Sequence, residues 1–143
     1  MYKFLVNDND LMLMIQHCYE SDIEHILKVH VTGDLGLDHS INRTVIDLLC
    51  NNVSVYALYD KEDFIGYFGD EAGTHLTGFF IMPQFRKTHK SKFWDTVVKH
   101  FNGNFKCGIY SKNLPARNFL IKSGCTLNKV DGPGMYFEYK ENI

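Results

Sequence analysis

The sequence has almost no excess charge of either sign, since 15 Lys and Arg residues are set against 17 Asp and Glu residues, for a formal net charge of -2. Domains that bind nucleic acid through its phosphates normally carry net positive charge, so no nucleic-acid partner is expected. Long apolar runs are also missing, because Leu11–Ile15 and Gly78–Pro83 are far shorter than the ~20 residues of a membrane helix. The first ten residues hold one Lys and two Asp, unlike a secretory signal. We therefore expect a cytoplasmic protein with no membrane association.

Cysteine is sparse, and the spacing of the cysteines argues against a structural zinc site or a disulfide framework. The four cysteines lie far apart with no CxxC pair, whereas zinc sites usually take their thiolates from close pairs. The seven histidines are scattered and form no H-E-x-x-H motif. A chain of 143 residues can bury a core without disulfide or metal. The sequence therefore predicts one domain spanning 1–143, with reduced and mostly buried cysteines and no metal.

The first half of the chain is mainly helical in pattern. A short strand at Tyr2–Val6 is followed by apolar residues at helical spacing in Leu11–Tyr19. Ser21 and Glu24 have the spacing of a capping box, which predicts a further helical stretch to about His30. After two glycines, 38–51 repeats the helical pattern.

The rest of the chain alternates between strand and helix patterns. Short turns separate strands at 53–58, 64–69 and 74–82, which favours an antiparallel meander. Helices are predicted at Ser91–Phe101 and Leu114–Ser123, and strands at 105–110, 126–130 and 135–139. The predicted order is β-α-α-β-β-β-α-β-α-β-β, a mixed α/β domain around one central sheet.

Four cations crowd the loop that follows Pro83 and the start of the next helix. Positive side chains at a helix N-terminus oppose the helix dipole, so the helix alone does not explain them. A bound phosphate would explain them, because free backbone N–H groups and Lys or Arg side chains would all point towards it. A solvated basic loop is the other interpretation. The cations are Arg86, Lys87, Lys90 and Lys92.

This segment resembles the acyl-CoA-binding motif of the GNAT N-acetyltransferase superfamily. In that family a strand ending in V-x-P is followed by (Q/R)-x-x-G-x-(G/A), and here Ile81-Met82-Pro83 precedes Arg86. The family continues with a strand, an Asn, a helix carrying A-x-x-(L/F)-(Y/F), and then G-(F/Y). The corresponding residues here are Asn113, Ala116, Phe119-Leu120 and Gly124-Cys125, so the resemblance covers nearly the whole chain.

The resemblance implies a single GNAT-like α/β domain with a mixed, mostly antiparallel central sheet flanked by helices. It also implies acetyl-CoA as co-substrate, bound where strands 74–82 and 105–110 diverge, with its pantetheine arm along Phe79–Ile81. The cofactor-binding residues that it implies are Phe79, Phe80, Ile81, Arg86, Lys87, Thr88, His89, Lys90, Ser91, Lys92 and Asn113.

Two family features are replaced in this chain. His89 and Ser91 stand at the two small positions of the motif, and Leu120 stands where many members carry the tyrosine that protonates the leaving thiolate. Tyr110 is the substitute acid in this interpretation. His75, 11 residues before Arg86, stands where members with a carboxylate base place glutamate. Neutral imidazole can accept a proton from an amine, and the alternative bases are Asp70 and Glu71.

Two functional hypotheses follow from these residues. The first is an acetyl-CoA-dependent N-acyltransferase that modifies an amine of a small molecule or protein. The second is an interaction or assembly protein that has kept the fold and lost the activity, like short phage-encoded proteins linked to head assembly. The acceptor amine is not identified, and a homodimer or a protein partner stays open.

Overall fold

A seven-stranded mixed sheet forms the centre of the protein in the computed structural model, which describes residues 1–141. The strands are β1 (Tyr2–Leu5), β2 (Ser54–Asp60), β3 (Asp63–Glu71), β4 (His75–Ile81), β5 (Asn104–Tyr110), β6 (Thr126–Asp131) and β7 (Gly134–Lys140). They stand in the order β1-β2-β3-β4-β5-β7-β6. Only β4 and β5 are parallel, and every other neighbouring pair is antiparallel. The predicted mixed, mostly antiparallel sheet is confirmed. Residues 142 and 143 of the predicted domain lie outside the described residues.

Helices cover both faces of the sheet. Those in the described residues are α1 (Asp8–Glu20), α2 (Ile23–Val29), α3 (Leu37–Cys50), α4 (Lys90–His100) and α5 (Leu114–Lys122). The consecutive β3 residues Tyr67 and Phe68 belong to two different hydrophobic clusters, as expected because adjacent strand residues face opposite sides. The cluster around Tyr67 packs against α1, α2 and α3, and the cluster around Phe68 packs against α4 and α5. The predicted α/β domain is confirmed.

The element order differs from the prediction between the first two strands. Three helices lie there, one at each of the three helical stretches predicted from the sequence, whereas the predicted order counts only two; the chain turns at Ser21 and Asp22 between α1 and α2. The predicted capping box is wrong: the Ser21 hydroxyl donates to the Cys18 carbonyl oxygen, and Asp22 is the residue before α2. A serine hydroxyl can bond to the preceding turn as readily as to the following one, and here it ends α1.

The parallel pair β4–β5 separates soon after it begins. Only two residue pairs join the strands, His75 with Lys106 and Leu76 with Cys107. The register between β3 and β4 then shifts, and Gly78 has φ of +81°, a left-handed conformation that favours glycine. Past this bulge the edge of β4 that faces β5 has no strand partner. We call this opening the β4–β5 gap.

Several further features bear on the choice of function. No helix in residues 1–141 is long and apolar enough to cross a membrane. Within the same residues no group of three His, Cys, Asp or Glu side chains is arranged to hold a metal ion. The four cysteines are free, and only Cys50 is exposed. Burial raises the pKa of the Cys18 and Cys125 thiols to about 12, so both stay protonated at neutral pH.

Candidate functional site

The largest opening at the β4–β5 gap is a cavity of about 670 Å³, here called the wide cavity. Its floor comes from β4 and β5, through residues on either side of the Gly78 bulge and at the end of β5. Helices α1 and α3 and the residue that follows α2 form one wall, and the turn between β6 and β7 forms the other. The polar side chains that line it include Tyr19, His30, Asp47, Tyr67, Tyr110, Asn113 and Asp131.

A second cavity of about 190 Å³, here called the narrow cavity, continues along β4 towards the loop after Pro83. Both cavities share His30, Phe79 and Asn113 among their lining residues, so they are contiguous. Six of the eleven predicted cofactor-binding residues line the narrow cavity. These six are Phe79, Phe80, Ile81, Arg86, Lys90 and Asn113.

Asn113 starts α5 next to both cavities. Its side-chain oxygen accepts a hydrogen bond from the Ala116 backbone N–H at 3.3 Å, which is the usual contact of a helix N-cap. Pro115 is pre-organised for the first turn that follows. The predicted Asn therefore fixes the start of α5 against the gap.

Arg86 is held by contacts within the protein. Its Nε donates to the Ile81 carbonyl oxygen at 2.8 Å, and its Nη1 donates to Asp22 Oδ2 at 2.7 Å. The guanidinium also lies 5.1 Å from the centre of the Phe80 ring. Arg86 thus ties the end of β4 to the start of α2, and its charge is already partly balanced by Asp22.

His89, at the first small position of the motif, turns its ring towards β2. Its Nε2 donates to Asp60 Oδ2 at 2.9 Å, and a 2.7 Å hydrogen bond joins its Nδ1 to the Thr88 hydroxyl. Lys92 Nζ lies 3.5 Å from the same carboxylate oxygen. The hydrogen bond from His89 is the main cause that lowers the pKa of Asp60. These contacts fix the imidazole, and they leave Lys87 and Lys90 as exposed cations of the loop.

The first turn of α4 presents backbone donors. The earliest helical bond of α4 runs from the Phe93 N–H to the His89 carbonyl oxygen at 2.9 Å. The preceding N–H groups, those of Lys90, Ser91 and Lys92, belong to the turn that has no intrahelical acceptor. Side chains of Lys90 and exposed Ser91 stand over the same turn. Backbone donors and a cationic side chain therefore lie together at this turn, and anion binding here stays a prediction.

His75 lies away from both cavities. It is the exposed first residue of β4, where β4 and β5 are still paired, and its Nδ1 is hydrogen-bonded to the Thr74 hydroxyl at 2.7 Å. The alternatives Asp70 and Glu71 lie at the same closed end of the gap, and Asp70 accepts a 2.7 Å bond from His100 Nε2. A catalytic role for His75 stays a prediction.

Tyr110 lies at the open end of the gap. It is the last residue of β5, it is 37% exposed, and its ring lines the wide cavity. Burial is the main cause that raises the pKa of its phenol, so the hydroxyl keeps its proton at neutral pH. Leu120 has no exposed surface, packs in the core beneath α5 and lines neither cavity.

His30 is the site residue that the sequence motifs missed. It follows directly after α2 and lines both cavities, with its ring centre 5.1 Å from that of Tyr19 and 5.3 Å from that of Tyr110. Burial lowers its pKa to about 4, so the imidazole is neutral at physiological pH. One sequence signal could have found it: His30 follows the buried Ile26 by four residues and so continues the apolar face of α2.

Similarity to known proteins is found in the three-dimensional structure and not in the sequence. No family model matches the sequence, and no curated protein matches it. Among solved structures, an acetyltransferase from Thermus thermophilus aligns with a TM-score of 0.69 at 14% identity, over 97% of this chain and 96% of that one. The Campylobacter jejuni N-acetyltransferase PseH in complex with acetyl coenzyme A aligns with a TM-score of 0.59 at 13% identity, over 99% and 100% of the two chains.

A third similar structure is the PaiA N-acetyltransferase from Thermoplasma acidophilum in complex with coenzyme A, with a TM-score of 0.58 at 13% identity. The alignment covers 98% of this chain and 98% of that one. All three alignments span nearly the full length of each protein, so the whole architecture is shared and not only the central sheet. The chain therefore has the fold of the GNAT N-acetyltransferases.

Proposed function

We propose that this protein is an acetyl-CoA-dependent N-acyltransferase, which transfers an acetyl group to an amine. The observation that carries the proposal is the β4–β5 gap: two parallel strands pair at only two positions and then open onto two contiguous cavities. The structures of similar fold from Campylobacter jejuni and Thermoplasma acidophilum, which hold acetyl coenzyme A and coenzyme A, support the choice of ligand.

The narrow cavity suits the pantetheine arm of acetyl-CoA. The arm carries amide groups, and the unpaired edge of Phe79–Ile81 offers backbone donors and acceptors as a neighbouring strand would. Phe79, Phe80 and Phe119 supply apolar surface along the same path. The pyrophosphate would then reach the first turn of α4, where Lys90 and the backbone N–H groups meet it. Lys87, Thr88, Ser91 and Lys92 complete the predicted phosphate-binding loop.

The transfer itself takes place in this proposal beside the Gly78 bulge. A neutral amine nitrogen attacks the thioester carbonyl carbon, a C–N bond forms, and the carbonyl oxygen becomes negative. A backbone N–H of β4 next to the bulge stabilises this oxyanion. The C–S bond then breaks, and the departing thiolate takes the phenolic proton of Tyr110. The nitrogen must also lose a proton to a base, and His75, predicted from the sequence for that role, lines neither cavity.

The lining of the wide cavity indicates what kind of amine it accepts. Asp47 and Asp131 are the only charged side chains among its described lining residues, because His30 is neutral, and Asp47 also pairs with the exposed Arg43 at 3.3 Å. Tyr19, Tyr67 and Tyr110 line it with phenols that burial keeps protonated. Carboxylates and the faces of aromatic rings attract cations and repel anions. Amines without a carboxylate therefore fit this cavity better than free amino acids.

An acetyl-transfer assay tests the proposal. Release of CoA thiol from acetyl-CoA is measured with spermidine, tyramine, glycine and a peptide with a free N-terminus as probe amines, and mass spectrometry identifies the acetylated product. We expect transfer to spermidine or tyramine in preference to glycine. Tyr110→Phe should lower turnover by about 10²-fold, the lower end of the usual range for a proton donor.

The matched control is Tyr59→Phe, which also removes one phenol hydroxyl but from a ring that stacks on Tyr2 and lines neither cavity. Its turnover should equal that of the unmodified protein. Absence of transfer to every probe amine, together with failure to bind acetyl-CoA, would reject the acyltransferase and favour an interaction module on the same fold.

A further inference from the structure

His30 stands where the two cavities meet, and no contact within residues 1–141 accounts for its polarity. Its ring packs edge-on against Tyr19 and at a tilt against Tyr110, and it lines both the wide and the narrow cavity. Burial, followed by the nearby His25, lowers the pKa of His30, and no hydrogen bond within residues 1–141 contributes to this shift. A polar ring in this position has its nitrogens free for whatever occupies the cavities.

We propose that His30 accepts the proton of the attacking amine and returns it through Tyr110 to the thiolate of CoA. This inference rests on the proposed acyltransferase function. It assigns the proton transfer to the residue that follows α2 and the last residue of β5, whose ring centres lie 5.3 Å apart in the wide cavity. Both residues line the same cavity as Gly78, beside which the thioester is expected.

His30 and Tyr110 together account for every proton that moves in the reaction. As the C–N bond forms, the amine nitrogen becomes positive and passes one proton to a ring nitrogen of His30. As the C–S bond breaks, the thiolate takes the phenolic proton of Tyr110. The imidazolium of His30 then gives its proton to the Tyr110 phenolate. The products are the amide and CoA thiol, and both side chains return to their starting state.

Electrostatics explains why the two groups are more useful together than apart. A phenol with a raised pKa is a weak acid towards a thiolate, whose own pKa is near 8.5. A buried imidazole is likewise a weak base as long as no negative charge lies near it. When both protons move, the imidazolium and the phenolate stabilise each other in a site of low dielectric. The cost that burial places on each group alone is therefore offset in the pair.

The charged and titratable groups around His30 are compatible with this role. His25 lies on α2, the helix that His30 follows, and burial lowers the pKa of His25. Asp47 and Asp131 line the wide cavity, and the cations Arg86 and Lys90 line the narrow cavity that His30 also lines. These cations oppose a permanent charge on His30. They do not oppose a proton that arrives and leaves within one turnover.

The test uses His30→Phe, because phenylalanine keeps a ring against Tyr19 and Tyr110 while it removes both nitrogens. His17→Phe is the matched control, since its ring lies against Phe64 and lines neither cavity. With acetyl-CoA and spermidine or tyramine as probes, His30→Phe should lose about 10²–10⁴-fold in turnover, with little change in CoA affinity. The His17→Phe protein should keep full turnover.

Chemical rescue separates proton transfer from packing. Free imidazole added to His30→Ala, which leaves space for it, should restore part of the lost turnover, whereas His30→Phe should show no rescue. Full activity of His30→Phe, or loss of activity without rescue of His30→Ala, would overturn the proposal.

A measurement without turnover distinguishes this proposal from the one on which it rests. In ¹⁵N NMR spectra of the histidine rings, CoA thiol should shift the signals of His30 and leave those of His17 in place. Binding of CoA without any change at His30 would overturn only the role of His30. Failure of CoA to bind the unmodified protein would overturn the acyltransferase function and this inference together.

Discussion

The half-buried imidazole of His30 should make the protein less stable in mild acid. Its pKa is about 4 in the folded protein, because burial disfavours the charged ring, against an ordinary value of 6.5. Between these two values the unfolded chain holds a proton at His30 that the folded chain does not. The free energy of unfolding therefore falls as the pH is lowered through this window, and this loss is complete below about pH 4.

The size of the effect follows from proton linkage. Each unit of pKa difference is worth about 1.4 kcal/mol, and the ring begins to titrate in the unfolded chain near pH 6.5. Lowering the pH from about 7 to about 5 should then remove about 2 kcal/mol of stability through His30 alone. This is a large part of the ~5–15 kcal/mol that stabilises an ordinary domain.

Urea unfolding of the unmodified protein and of His30→Phe, each near pH 7 and near pH 5, isolates this contribution. Carboxylates such as Asp60 titrate alike in both proteins, so their effects cancel in the comparison. The variant should lose about 2 kcal/mol less than the unmodified protein between the two pH values. Equal losses in the two proteins would show that the ring is hydrated in the folded state, and would refute its assignment as a neutral buried base.

Three further predictions concern the loop, the bulge and the core beneath α5. Lys90→Ala should weaken CoA binding about fivefold, equivalent to about 1 kcal/mol, and make it less sensitive to salt; Lys99→Ala, at the other end of α4, should do neither. Gly78→Ala and Gly73→Ala should each cost about 1–2 kcal/mol in urea unfolding, since both glycines have positive φ. Only Gly78→Ala should also weaken CoA binding, and equal affinities would place CoA outside the gap. Leu120→Tyr should lower stability by about 1–3 kcal/mol through overpacking without restoring turnover to Tyr110→Phe, and restored turnover would contradict the buried position of Leu120.

Much of the fold could be predicted from the sequence because the hydrophobic period changes clearly along the chain. The alternation in 53–82 and the helical spacing of Phe93, Val97 and their neighbours are strong local signals, and the sheet and flanking helices match them. The capping box failed because the Ser21 hydroxyl can donate to a carbonyl oxygen of the preceding turn or accept from an N–H group of the following turn, and local spacing does not say which bond forms. When a side chain can form either of two hydrogen bonds of similar energy, tertiary packing determines which one forms.

The candidate site was predicted unevenly for a similar reason. The loop from Arg86 to Lys92 is contiguous in sequence, so its cations and helix start could be identified together. The sequence did not reveal that Asp22 binds Arg86 or that Asp60 binds His89, because those partners come from distant segments.

The two histidines of interest, His75 and His30, show that spacing along the sequence does not identify which side chains line the cavities. The position of His75 was inferred from its distance to Arg86, but strand spacing does not show where β4 and β5 separate. His30 meets Tyr110 only because α2 and the end of β5 converge on the same cavity. Neither residue has a partner in its own segment that would have marked it as part of a site.

Calorimetric titration of the protein with CoA tests the central claim most directly, since the β4–β5 gap is proposed to hold the pantetheine arm. We expect saturable binding of one CoA per chain, which Gly78→Ala weakens and Gly73→Ala does not. Bound CoA should also raise the melting temperature, because it stabilises the folded state by mass action. The absence of any binding heat at millimolar CoA would contradict the acyltransferase account and leave the fold as an interaction module.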